Sequence, residues 1–90
     1  MWKEENNRLK RSFSFNDFRE AFAFMSSVAE VAETMDHHPD WRNVYNQVHI
    51  ELYSHDAGNT VTDRDRELAN SIDMIAEEQF GVPVQANQRV

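Results

Sequence analysis

In the stretch "NVYNQVHIELYSH", residues 43–55, Val48, Ile50 and Leu52 alternate with His49, Glu51, Tyr53 and His55. A period of two belongs to a strand, and here it separates an apolar face from a polar, ionisable one. The residues before it are also rich in β-branched and aromatic side chains. Residues 42–55 are therefore read as a β-hairpin, with Asn46-Gln47 as its tight turn. One apolar strand face in mid-chain needs other elements to cover it.

Upstream of the hairpin the period is helical. Asn16 or Asp17 is placed to cap a helix, and Glu20 stands three residues after Asp17 in a capping-box arrangement. Phe18, Ala21, Phe22, Met25, Val28, Ala29, Ala32 and Met35 then recur at three- and four-residue spacing, which predicts one apolar stripe packed on the core. Pro39 and the polar cluster before it are expected to end this helix. Before it, "RSFSF" alternates with Phe13 and Phe15 on one face, and the turn formers "ENN" at 5–7 suggest a first hairpin that begins near Trp2.

Downstream, "DAGNTVTDRD" reads as a loop. Thr62 and Asp65 form another cap-like pair. Leu68, Ala69, Ile72, Ile75, Ala76 and Phe80 make the stripe of a second helix, which Gly81 and Pro83 end. The order is β-β-α-β-β-α. The fold class expected is α+β: a four-stranded antiparallel sheet with two amphipathic helices on one face. Residues 1–90 make one domain, with 84–90 as a frayed tail.

The composition narrows the function. The formal charge of -7 argues against direct nucleic-acid binding, which needs clustered Lys and Arg. Without cysteine, disulfides, thiolate catalysis and Cys-type zinc sites are ruled out. No apolar run reaches the ~20 residues needed to span a membrane, and the N-terminus lacks the apolar core of a signal peptide. The expected setting is cytoplasmic, with no membrane partner.

All four histidines, His37, His38, His49 and His55, fall between residues 34 and 58. Three readings are open. Metal binding lacks the H-x-x-x-H, H-E-x-x-H or C-x-x-C spacings that bring ligands together. Six residues of strand also separate His49 from His55 by about 20 Å. A second reading is a polar helix-to-strand turn. The third is metal-free acid–base chemistry, because imidazoles near neutrality can accept a proton at one place and donate one at another. Glu33, Asp36 and Asp65 are carboxylates that could set their tautomers. Dehydration, isomerisation and tautomerisation need no more than this.

Longer motifs sharpen the choice. Phe13, Phe15, Asp17 and Phe18 form F-x-F-x-D-F. Glu33, His37, His38, Pro39, Trp41, Asn43, Val44, Tyr45, Asn46 and Val48 form E-x-x-x-H-H-P-x-W-x-N-V-Y-N-x-V. Ser54-His55 follows, and then T-x-x-D-x-x-L-A at Thr62, Asp65, Leu68 and Ala69. Over residues 13–75 the sequence closely resembles the pterin-4a-carbinolamine dehydratase family. The resemblance implies an antiparallel four-stranded sheet with helices on one side. It also implies dehydration of a 4a-hydroxytetrahydropterin to the quinonoid dihydropterin, a step that recycles the cofactor of aromatic amino-acid hydroxylases and needs no metal or organic cofactor.

Carried over by motif position, His37, His38 and His55 match the family's catalytic histidines. Glu33 and Asp65 match its active-site carboxylates, and Pro39 and Trp41 match residues of the pocket wall. The loop from His55 to Asp65 is one residue longer than the commoner family pattern, and Asp63 lies near. Asp65 is assigned to the pocket because Leu68-Ala69 set the helix register behind it. His49 is read as structural. The partners implied are a small pterin and a second copy of the chain, as a homodimer or homotetramer. A non-catalytic dimerisation module and action on another pterin-like compound, such as a molybdopterin relative, are the alternatives.

Overall fold

A computed structural model describes residues 1–82. The expected stop at Pro83 and the expected frayed tail lie outside these residues. The elements run β1 (Lys3–Glu5), β2 (Arg8–Ser14), α1 (Phe18–Met35), β3 (Asp40–Val44), β4 (Gln47–Leu52) and α2 (Asp63–Phe80). The strands pair antiparallel in the order β1-β2-β4-β3. This is the predicted β-β-α-β-β-α arrangement, with both helices contributing to a core on one side of the sheet.

Two tight turns set the register. Glu5 pairs with Arg8, so Asn6-Asn7 form a two-residue turn with φ of 53° and 62°. Two successive positive φ values suit asparagine, whose side chain tolerates the left-handed region. In the second hairpin Val44 pairs with Gln47. The turn is therefore Tyr45-Asn46, one residue earlier than expected. The shift has a physical cause. Asn46 is taken up holding Phe15, donating from Nδ2 to its carbonyl at 2.8 Å while its own carbonyl accepts from Phe15 N–H at 2.9 Å. Tyr45 is left in the positive-φ position, at 51°.

Inward-facing residues of β2 and β4 (Leu9, Phe13, Val48, Ile50 and Leu52) meet Val28 of α1 and Leu68 and Ile72 of α2, all buried. Phe24 lies in the middle, fully buried, with ring centroids 4.9 Å from Phe13 and 4.8 Å from Phe15. The helical stripe needs correction here. Phe18 and Phe22 are 48% and 55% exposed and Ala29 is exposed, whereas Phe24, absent from the expected stripe, anchors the core. The buried line of α1 is Ala21, Phe24, Val28 and Ala32, a narrower i, i+3, i+4 track. Truncating Phe24 to alanine in such a site costs about 3–5 kcal/mol.

One inward position of β2 is charged. Arg11, opposite Ile50, lies over the Phe13 ring at 4.3 Å and donates to Asp73 of α2 at 2.9 Å. Trp2 Nε1 donates to the same carboxylate at 2.8 Å. Burial raises the Asp73 pKa, and the Trp2 and Arg11 contacts only partly oppose it. This cluster fastens the first strands to the middle of α2.

Candidate active site

The end of α1 sends two adjacent histidines in different directions. Asp36 takes a left-handed conformation, φ 54° and ψ 44°, and His37 N–H reaches back to Ala32 O at 3.0 Å. This is a Schellman-type closure. Asp36, in the polar cluster expected to end the helix with Pro39, stops it three residues ahead of the proline. After the turn His37 is driven inward, with its side chain 8% exposed, while His38 stays 57% exposed.

His55 comes from the opposite side. β4 ends at Leu52, and His55 opens a short 3-10 turn, His55–Ala57, instead of extending the strand as expected. Gly58 closes that turn at φ 78°, a conformation that glycine adopts without steric cost. Ser54 N–H donates to Thr60 O at 2.8 Å and Asn59 N–H to Ser54 O at 3.0 Å. These bonds tie the loop back on itself. His37, His38 and His55 thereby line one cavity of about 270 Å³ together with Asp36, Tyr53, Asp56 and Arg64.

Each imidazole is anchored through one nitrogen. His37 Nε2 meets Asp65 Oδ1 at 2.5 Å, His38 Nε2 meets Glu33 Oε1 at 2.9 Å, and His55 Nδ1 meets Asn59 Oδ1 at 3.1 Å. The environments differ sharply. Asp65 is fully buried, whereas the Glu33 side chain is 82% exposed and its attraction to His38 is screened by solvent.

Asp65 is the N3 residue of α2 and accepts from Thr62 N–H at 2.8 Å. It also accepts from the Ser54 hydroxyl at 2.8 Å. Burial pushes its carboxyl up. The His37 bond, the Thr62 N–H, the Ser54 hydroxyl and the His37 charge outweigh that effect and hold the pKa below the ordinary aspartate range. Asp65 is therefore an anion at neutral pH, placed behind His37 and not on the cavity wall. Asp63 is exposed.

The remaining assigned residues are more distant. Pro39 is half-buried, and Trp41, opposite Ile50 in β3, packs against the core. Neither lines the histidine cavity. His49 lies on the open sheet face, where Nδ1 contacts the Ser12 hydroxyl at 2.6 Å. Among the described residues no three His, Asp or Glu side chains are arranged to hold a metal ion, and no helix is long and apolar enough to cross a membrane.

The sequence profile of the pterin 4 alpha carbinolamine dehydratase family matches residues 1–75. The chain belongs to that family.

Among curated proteins, a candidate pterin-4-alpha-carbinolamine dehydratase of Synechococcus sp. strain WH7803 is 57% identical over 82% of this chain and 78% of its own. One from Rhodopseudomonas palustris strain HaA2 is 55% identical over 90% and 80%. A solved structure from Brucella melitensis, described as a transcriptional coactivator/pterin dehydratase, superposes with a TM-score of 0.79 at 42% identity. That match covers 83% of this chain and 81% of the other. A pterin dehydratase-like protein described as a RuBisCO assembly factor of the alpha-carboxysome superposes at 0.71 with 23% identity, over 83% and 88%. That last likeness is one of fold alone.

In this dehydratase-family chain, Tyr53 and Arg64 line the cavity and Ser54 bonds to Asp65, although none of the three was among the expected site residues. Tyr53 donates its hydroxyl to Asp40 at 2.9 Å, which raises the phenol's pKa, and the Arg8 guanidinium stacks on its ring at 4.0 Å. Arg64 donates to the carbonyls of Met35 and Asp36 at 3.1 and 2.7 Å, satisfying orphan acceptors at the end of α1. Ser54 did leave a signal. It occupies the inward parity of Val48, Ile50 and Leu52, where a polar residue needs a buried partner.

Proposed function

We propose that the chain dehydrates a 4a-hydroxytetrahydropterin to the quinonoid dihydropterin. The observation that carries this reading is the cavity walled by three imidazoles, each tethered through one nitrogen to a different partner. Family membership supplies the substrate class.

The elimination breaks the C4a–O bond and the N–H bond of the adjacent ring nitrogen. Water leaves and a C=N bond forms, with no net oxidation. A proton must reach the departing hydroxyl, and another must leave the nitrogen. His37 suits the second task. Its Nε2–H rests on anionic Asp65, which balances the positive charge the ring gains, so Nδ1 is the nitrogen that takes the substrate's ring-nitrogen proton. His38 or His55, on the solvent side of the cavity, gives a proton to the departing hydroxyl and recovers one from water. Glu33 orients His38. Every proton thus moves between protein, substrate and water, and the step calls on no metal or organic cofactor.

The product is the form from which the reduced cofactor of aromatic amino-acid hydroxylases is regenerated, so we place the enzyme in that recycling step in the cytoplasm. The decisive assay generates the 4a-hydroxypterin and follows its dehydration spectroscopically with and without protein. Acceleration above the spontaneous rate is expected. An unchanged rate across several pterin side chains would sink the proposal.

A further inference from the structure

Asp65 binds more than His37. Its Oδ2 accepts from Thr62 N–H and from Ser54 Oγ, each at 2.8 Å, and lies 3.3 Å from Thr62 Oγ1. The two hydroxyls are 2.6 Å apart, and Ser54 is 1% exposed. Proton counting orders the network. Ser54 has one hydroxyl proton and gives it to Asp65, so at the Ser54–Thr62 contact it accepts, and Thr62 donates. The chain therefore runs Thr62 to Ser54 to Asp65 Oδ2, leaving Oδ1 for His37.

We propose that Ser54 is a positioning residue for His37: its hydroxyl, backed by Thr62, occupies Oδ2 of Asp65 and so holds Oδ1 on the imidazole. The helix cap does not require this hydroxyl, because Thr62 N–H already reaches the carboxylate. The strand pattern does not require it either. An apolar residue at position 54 would continue Val48, Ile50 and Leu52. A buried hydroxyl at that position is retained only at a cost unless it is bonded. What it adds here is orientation. With both Oδ2 donors in place, Asp65 accepts from His37 only if the ring carries its proton on Nε2, which turns Nδ1 toward the cavity.

Ser54 also precedes His55 directly, and its backbone carries the bonds that close the loop. One residue thus sets two walls of the cavity, through its side chain on the His37 side and through its backbone on the His55 side. The inference rests on the dehydration reading only for the consequence on rate. The tautomer of His37 is independent of any substrate.

The test compares Ser54→Ala and Ser54→Thr with the unaltered protein, by nitrogen-15 NMR of the histidine rings and by dehydration kinetics. The unaltered chain and Ser54→Thr are expected to show His37 as one Nε2–H tautomer with a slowly exchanging ring proton. Ser54→Ala is expected to mix tautomers and speed that exchange. It should also lower kcat roughly 10- to 100-fold, the loss expected for one buried hydrogen bond to a charged group, with KM little changed. Should Ser54→Ala not fold, Thr62→Val removes the supporting hydroxyl, keeps the capping N–H, and should give the same signature. An unchanged His37 tautomer and exchange rate in Ser54→Ala, or in Thr62→Val, would overturn the proposal. Inactive unaltered protein with a Ser54-dependent His37 signal would overturn the dehydration reading and leave the positioning role standing.

Discussion

His37 and Asp65, 28 residues apart in sequence, are joined at 2.5 Å between Nε2 and Oδ1, with the carboxylate fully buried. The pair links the end of α1 to the first turn of α2. It is a packing contact and a helix cap, and in the proposed mechanism it handles a proton as well. Removing its charge therefore has both structural and chemical consequences.

Asp65→Asn keeps the volume and loses the anion. It is expected to destabilise the fold by about 2–4 kcal/mol at neutral pH, as for other buried charged hydrogen-bond partners, and to slow dehydration. The pH dependence gives the sign. Because the folded-state pKa of Asp65 is depressed, its contribution is complete above the ordinary aspartate value of about 3.9 and is lost as the pH falls through the lower, folded value. Denaturant titrations from pH 7 to pH 2 should show the gap between the unaltered protein and Asp65→Asn constant at first, then closing in acid. A gap that widened in acid would contradict the assignment.

His38 projects from the turn after α1 with its side chain 57% exposed, so its removal should leave the core intact. His38→Ala is expected to retain the far-UV circular dichroism and lose roughly 10²-fold or more in dehydration rate, the usual share of a general acid or base. His49→Ala is the control. Its ring contacts Ser12 on the open sheet face, and its rate should match that of the unaltered protein.

Tyr45 is 63% exposed and has φ 51°. A bulky side chain in the left-handed region costs about 1–2 kcal/mol, and no burial offsets it here. Tyr45→Asn should raise stability by about 1 kcal/mol, seen as a Tm increase of roughly 4–8 °C for a domain of this size. A lower Tm would mean that the tyrosine ring makes a stabilising contact outside one copy of the chain.

Phe18 and Phe22 lie on the outer face of α1 with ring centroids 5.8 Å apart, exposed to water in the isolated chain. Two adjacent exposed rings are a candidate contact surface for the self-association expected from the family resemblance. Light scattering on Phe22→Ser is expected to report a smaller assembly than the unaltered protein. An identical mass would move the contact elsewhere, for instance to the edge strand β3.

Much of this molecule was legible before folding. Period-two alternation marked β2 and β4, and Asp17 and Thr62 marked the helix starts. Glycine at 81 has the left-handed φ expected after α2. The errors came where tertiary packing chooses among locally equivalent options. Phe22 and Phe24 are both plausible core residues by composition, but only Phe24 faces Phe13 and Phe15. Tyr45-Asn46 and Asn46-Gln47 are both plausible turns until Asn46 binds Phe15. Asp65 and Ser54 were each readable as polar residues on apolar tracks. Their partnership spans two elements that local sequence does not connect.

Local sequence alone therefore determined the elements, their order and the cluster of histidines, because periodicity and capping act over a few residues. Only the tertiary structure decided which histidine is buried against a carboxylate and which stay in solvent. Those outcomes depend on a left-handed Asp36, a 3-10 turn at His55 and the sheet register. Each is set by contacts between segments that the chain brings together only when it folds.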